Sequence, residues 1–72
     1  MVGHNIKIKD NDGKEFILVE KYDDHDKVTY YEVFEYSYYE TYGSYIGDFV
    51  TSTDSQSAEF CNEFTEWIKN EL

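Results

Sequence analysis

The stretch from Tyr30 to Tyr45 reads YYEVFEYSYYETYGSY and holds seven of the eight tyrosines of the chain within 16 residues. Glutamates are interleaved with the tyrosine, valine and phenylalanine residues, and the stretch contains no basic residue. Aromatic and β-branched residues favour strands, so this pattern predicts the central strand and hairpin of an antiparallel sheet. A buried phenol needs a hydrogen-bond partner, and a small core cannot supply one for every ring. We therefore expect some of these tyrosines to face solvent beside carboxylates.

Alternating apolar residues and turn residues place the other strands on either side of this stretch. Asp10–Gly13 and Asp23–Asp26 are rich in the residues that form turns, and Gly47 favours a bulge or a close backbone approach. The predicted strands are His4–Lys9, about Lys14–Tyr22, a third that begins at Lys27 and ends between Tyr36 and Thr41, and Tyr45–Thr51.

The end of the chain has the periodicity of an amphipathic helix, predicted from about Asp54 to the C-terminus. Thr53 and Gln56 have the spacing of a capping box at its start. An apolar stripe is expected to cover one sheet face, and it consists of Phe60, Cys61, Phe64, Trp67 and Ile68. The thiol of Cys61 is accordingly expected to be buried and inert.

These elements predict a single α+β domain over residues 1–72. Its sheet is a four-stranded antiparallel meander, and the C-terminal helix packs on one face. Neither face of the third strand is purely apolar, so the pattern leaves open which face is the core. The expected core is Ile6, Ile8, Leu18, Val33, Val50, Phe60, Phe64, Trp67 and Ile68.

Charge is the most unusual property of the chain, because 16 acidic residues and six basic ones give a formal net charge of −10. Residues 28–72 contain nine acids and one lysine, so most of the excess lies in the second half. Such a field favours basic partners and repels nucleic acid and anionic membranes. The first nine residues lack a signal-peptide pattern and Cys61 is the single cysteine, so we expect a soluble, cytoplasmic protein.

Catalysis and metal binding are not expected. A chain of 72 residues has little room for a pocket beside its core. Aligning Gly13 with the glycine of an EF-hand loop puts Ile8 and Val19 where carboxylates are required, so an ordinary turn is the better interpretation. We expect no enzyme activity, no cofactor and no metal.

The carboxylates suggest a phosphate-like pattern, because alternate strand residues lie about 7 Å apart and residues one helical turn apart about 6 Å apart. In charge, size and architecture the chain resembles the small acidic proteins that mimic DNA, many of them phage proteins that block CRISPR or restriction nucleases of the host. No motif supports this resemblance. It implies an inhibitor that binds the basic, nucleic-acid-binding surface of a host defence protein. The predicted contact residues are Glu32, Glu35, Tyr36, Tyr38, Tyr39, Glu40 and Asp48, together with the helix ridge Glu59, Glu63 and Glu66.

Two alternatives remain open at this stage. Tyrosine is enriched at protein interfaces, so the tyrosine-rich face could instead form a homodimer in a structural or assembly protein. An antitoxin-like neutraliser of a basic protein would share the charge but not the phosphate-like spacing.

Overall fold

The structure is a computed structural model that describes residues 5–39 and 42–72. It contains strands β1 (Asn5–Lys9), β2 (Glu15–Asp23), β3 (Val28–Glu35) and β4 (Tyr45–Val50), followed by helix α1 (Ala58–Glu71). The strands are ordered β1-β2-β3-β4 and each neighbouring pair is antiparallel, which confirms the predicted α+β meander. Among the described residues, no helix has the length and apolar character needed to cross a bilayer.

Aspartate side chains build the two turns that precede β3. Asp10 Oδ1 accepts hydrogen bonds from the backbone N–H groups of Asp12 at 3.0 Å and Lys14 at 2.9 Å, and Gly13 has φ 84°. Asp23 Oδ1 likewise accepts from the N–H groups of the two residues at 25 and 26. These bonds join residues two to four positions apart, so the sequence was sufficient to place both turns.

The core lies between α1 and one face of the sheet. Phe60, Phe64 and Ile68 of α1 are buried, and the Phe16 ring meets the Phe64 ring edge-on at 5.5 Å. Of the residues predicted for the core, Ile6, Ile8 and Trp67 are partly buried and pack against it. The buried hydrophobic core consists of Phe16, Leu18, Tyr31, Val33, Phe49, Phe60, Phe64 and Ile68.

Val50 was wrongly predicted to be in the core, because it is 64% exposed and Phe49 is buried in its place. The cause is a β-bulge, since Val33 pairs with Gly47 but Phe34 pairs with Tyr45. The extra residue shifts the inward and outward alternation of β4. Gly47 also permits the predicted close approach, because a Cβ there would lie 3.1 Å from Glu71 Oε1 and 3.4 Å from Trp67 Cζ2.

The helix begins later than predicted, at Ala58 with Ser57 as its N-cap. Ser57 Oγ accepts a hydrogen bond from Phe60 N–H at 3.3 Å, so the expected capping box of Thr53 and Gln56 is wrong. Asp54 Oδ1 instead accepts from Gln56 N–H at 2.8 Å in a turn before the helix. The position predicted for Cys61 is also wrong, because its side chain is exposed on the flank of α1.

Candidate functional site

The sheet face opposite α1, called the open face below, carries a pair of opposed carboxylates. Glu32 of β3 is the direct cross-strand partner of Asp48 of β4. Within the described residues, the one cation in ion-pairing distance of this pair is Lys21, whose Nζ lies 3.7 Å from Glu32 Oε1. An ion pair of this length between partly exposed side chains neutralises little of the charge, so the two carboxylates form a negative site on the sheet.

Tyr45 shapes this site from the same strand. Its hydroxyl donates a hydrogen bond to Asp48 Oδ1. That bond, followed by desolvation and the nearby negative charge, raises the pKa of the Tyr45 hydroxyl to about 12. The phenol therefore stays protonated and holds the Asp48 side chain on the open face.

On the other side of β4, Glu63 of α1 is held by two threonines. The hydroxyls of Thr51 and Thr53 donate hydrogen bonds to its two carboxylate oxygens. These bonds lower the pKa of Glu63, so its charge persists in mild acid. Glu63 thus links α1 to the segment that follows β4, and part of its hydrogen-bonding capacity is already in use.

The remaining ridge residues lie on the same flank of α1 by helical spacing. Glu59 and Glu66 are four and three residues from Glu63, so their side chains project toward the same side of the helix. Both are exposed, and Glu66 makes a loose ion pair with Lys69 at 3.7 Å. Acidic side chains therefore flank β4 on both sides. We call this surface the acidic edge, and it consists of Glu32, Asp48, Glu59, Glu63 and Glu66.

Two predicted contact residues lie away from the acidic edge. Glu35 Oε2 is 3.2 Å from Lys14 Nζ, and the Tyr36 ring is capped by Lys7 Nζ at 4.1 Å from its centroid. Both lysines belong to the β1–β2 side of the sheet, where the surface is of mixed charge. Glu35 also helps to line a shallow polar depression at the neck of the loop between β3 and β4.

The loop after β3 presents two more of the predicted residues. Tyr38 and Tyr39 are 86% and 91% exposed, and their rings meet edge-on with centroids 5.2 Å apart. This confirms that some tyrosines of the stretch face solvent. Glu40, which follows them, lies outside the described residues.

The loop also covers part of the open face. The Tyr42 ring packs edge-on against Phe34 with centroids 5.5 Å apart, and Asn5 Nδ2 donates a hydrogen bond to its hydroxyl. Ile17 lies beside Phe34 in register and is only 6% exposed, although its side chain points away from α1. The tyrosine-rich loop therefore shields one end of the open face, and the end that carries Glu32 and Asp48 remains accessible.

Sequence reasoning missed several contributors to this site. Tyr45, Thr51 and Thr53 position carboxylates, and Glu71 adds a further acid beside Gly47. Of these contacts, the one between Tyr45 and Asp48 joins residues only three positions apart, so it is the one that the sequence could have suggested. The threonines pair with a residue at least ten positions away, so no local pattern predicts them.

Comparison of the chain with protein-family models, with curated proteins and with solved structures found no match. Across the part of the chain that the structure describes, no three histidine, cysteine or acidic side chains converge as metal ligands would. The arrangement of charge is consequently the main guide to function.

Proposed function

We propose that the protein is a small acidic inhibitor that occupies the basic, nucleic-acid-binding surface of a target protein. The observation that carries this proposal is the acidic edge, in which carboxylates lie on both sides of one edge strand. β4 itself contains no lysine or arginine, and Lys69 is the single basic residue from Val28 onward. A surface of this kind attracts a cationic groove and repels nucleic acid.

The chemistry of the acidic edge suits arginine and lysine side chains. Asp48 retains acceptor capacity after its bond to Tyr45, and carboxylates bind guanidinium groups through paired charge-assisted hydrogen bonds. The exposed rings of Tyr38 and Tyr39 would add contact area with little loss of side-chain entropy. A phage protein directed at a restriction or CRISPR nuclease of its host is the specific form of this proposal.

The opposed carboxylates disfavour the alternative of a homodimer formed through the open face. Two copies stacked on that end of the face would desolvate two sets of Glu32 and Asp48, and Lys21 is the one described cation within ion-pairing distance of either carboxylate. A cationic partner removes this penalty. The accessible end of the open face therefore supports a basic partner over a second copy.

The proposal can be tested by capture of a target and displacement of its nucleic acid. Immobilised protein is incubated with bacterial lysate at low and at high salt, and bound proteins are identified by mass spectrometry. Each purified candidate is then loaded with labelled duplex DNA, and the protein is titrated in. We expect a nucleic-acid-binding target that is bound at low salt, released at high salt, and freed of DNA by the inhibitor.

Two double variants with the same net charge distinguish binding through a specific site from attraction by the overall negative charge. The double variant Glu32→Gln, Asp48→Asn removes two charges from the acidic edge. Asp12→Asn, Asp24→Asn removes the same number from exposed turn positions. We expect only the first to lose displacement of DNA. Equal activity of the first variant and the parent protein, or binding that is insensitive to salt, would show that the proposal is wrong.

A further inference from the structure

We infer that the acidic edge recognises an extended basic segment of its partner, which adds to the sheet as a fifth strand beside β4. This inference rests on the proposed function for the charge of the partner and adds the mode of binding. Within the described residues, β4 pairs only with β3, so its other edge has no strand partner. Strand addition satisfies such an edge with backbone hydrogen bonds, and alternate side chains of the added strand provide specificity.

The hydrogen bonds of β3 show which residues of β4 face outward. Glu35 N–H donates to Ser44 O at 2.9 Å, whereas Tyr36 N–H donates to Glu15 O of β2 at 3.1 Å. Odd-numbered residues of β3 therefore bond toward β4, and Tyr31 bonds with its register partner Phe49. The flanking residues of β4, at positions 48 and 50, must then direct their backbone N–H and C=O groups away from the sheet.

The side chains at these same two positions favour a basic, partly apolar strand. Asp48 and Val50 both project from the open face, and Val50 is 64% exposed. A strand added here would place one side chain beside the Asp48 carboxylate and another against the Val50 methyl groups. Lysine or arginine suits the first position and a β-branched or aromatic residue suits the second.

The opposite edge of the sheet differs from β4 in the way that this inference requires. β1 carries Lys7 and Lys9 at its outward-facing positions, and edge lysines discourage strand addition. β4 has neither lysine nor proline. The two edges are thus distinguished by charge, and an incoming basic strand is repelled from β1 and attracted to β4.

A synthetic peptide provides a defined probe. The peptide repeats the sequence Lys-Thr-Val-Thr over eight residues, so that lysine and valine alternate on one face of the extended chain. It is blocked at both ends, and its affinity for the protein is measured by fluorescence polarisation at low salt. We expect saturable binding and slower hydrogen exchange at the backbone N–H groups of Asp48 and Val50. A peptide of the same sequence with N-methyl groups on alternate residues keeps the charge but lacks the donors, and it should bind about tenfold more weakly.

Proline substitution tests the edge from the side of the protein. Val50→Pro removes an outward donor and keeps the bonds between β3 and β4, so it should weaken peptide binding about tenfold. Lys9→Pro makes the same change on the β1 edge and should leave the affinity within about twofold. Circular dichroism and thermal melting show whether both variants remain folded.

The possible outcomes separate the mode of binding from the function. If Asp48→Asn weakens peptide binding but Val50→Pro and N-methylation do not, the contact is electrostatic only, and strand addition is wrong while the proposed function stands. Absence of binding at millimolar peptide would overturn the inference. A second copy could offer its β1 edge, which carries Lys9, to β4. If hydrogen exchange at Asp48 and Val50 slows as the protein concentration rises without peptide, and Lys9→Glu abolishes this effect, the edge binds a second copy and the assignment of a basic partner is wrong.

Discussion

Glu32 of β3 lies directly opposite Asp48 of β4, so two like charges occupy one cross-strand pair. Opposed like charges destabilise a sheet, and cross-strand pairs change stability by about 0.2–1 kcal/mol. Asp48 accepts a hydrogen bond from Tyr45, and Glu32 faces Lys21 in an exposed 3.7 Å ion pair of a kind that contributes little to stability. A local arrangement that costs stability is expected where a surface serves binding.

The first prediction follows from this pair. Glu32→Gln should raise the free energy of unfolding by about 0.2–1 kcal/mol, because it removes the repulsion, leaves the bond from Tyr45 to Asp48 intact and gives up only a 3.7 Å surface ion pair with Lys21. The gain should shrink in high salt, and the same variant should weaken target binding. Urea unfolding measures the first effect, and Asp24→Asn, in an exposed turn, serves as the control. A loss of stability in Glu32→Gln would mean that the pair is not repulsive in the folded protein.

Titration of the tyrosines provides a second prediction. The pKa of Tyr45 is raised to about 12, so the phenolate absorbance of the protein should contain a contribution near that pH that is absent in Tyr45→Phe. Because the pKa is higher in the folded state, the contribution to stability is complete below the ordinary tyrosine pKa near 10. It should be lost as the pH rises toward 12. In Asp48→Asn the transition should move toward the ordinary value, and an unchanged transition would assign the shift to another cause.

Glu63 should contribute to stability with the opposite dependence on pH. Hydrogen bonds from Thr51 and Thr53 lower its pKa in the folded state, so its contribution is complete above the ordinary glutamate pKa near 4.3 and is lost as the pH falls through the folded value. Glu63→Gln should therefore lower the melting temperature at neutral pH, and the difference from the parent protein should disappear in acid. Glu59→Gln, on the same flank without these partners, is the matched control. Equal melting of the two variants at neutral pH would contradict the structural role of Glu63.

The contrast between Phe64 and Trp67 tests the packing of α1. Phe64 is fully buried, and Phe64→Ala should cost about 3–5 kcal/mol. Trp67 is only partly buried against Phe49, with ring centroids 5.5 Å apart, so Trp67→Ala should fall near the lower end of that range, about 3 kcal/mol. The exposed Cys61 provides a control, because Cys61→Ala should change stability by less than about 0.5 kcal/mol. Urea unfolding measures the free energy of unfolding of all three variants. If Trp67→Ala lowers it more than Phe64→Ala does, the core is not centred on Phe64.

Local features of the sequence were sufficient to predict the order of the elements. Aspartate-rich turns and a helical period at the end of the chain act over a few residues, and they determined the meander and its covering helix. The inward residues of β4 were predicted in the wrong phase, because the bulge opposite Val33 and Phe34 adds one residue to the alternation. Helix initiation at Ser57 was missed because several polar residues nearby offer competing caps and turns.

The candidate site was predictable in composition but not in arrangement. The sequence predicted Glu32, Asp48 and the helix ridge as acidic contact residues, and the structure places these residues along one edge of the sheet. Glu35 and Tyr36 are set apart from these residues because Lys14 and Lys7 lie beside them. The register of the sheet brings these lysines to Glu35 and Tyr36. Pairing between distant strands is a tertiary property, so residue spacing alone could not divide the predicted set.

Tyr38 and Tyr39 should contribute to binding and not to folding, which is the last prediction. Each ring is more than 80% exposed, and each contacts the other, so replacing either with alanine should change the free energy of unfolding by less than about 0.5 kcal/mol. In a complex with the target, exposed aromatic rings at a contact mainly slow dissociation, and their removal should speed it by about tenfold with little change in association. Tyr22→Ala removes a ring that is 59% exposed near the second turn and should leave dissociation unchanged. Surface plasmon resonance separates the two rates, and unchanged dissociation in both loop variants would remove the tyrosine loop from the contact surface and leave the acidic edge as the sole candidate.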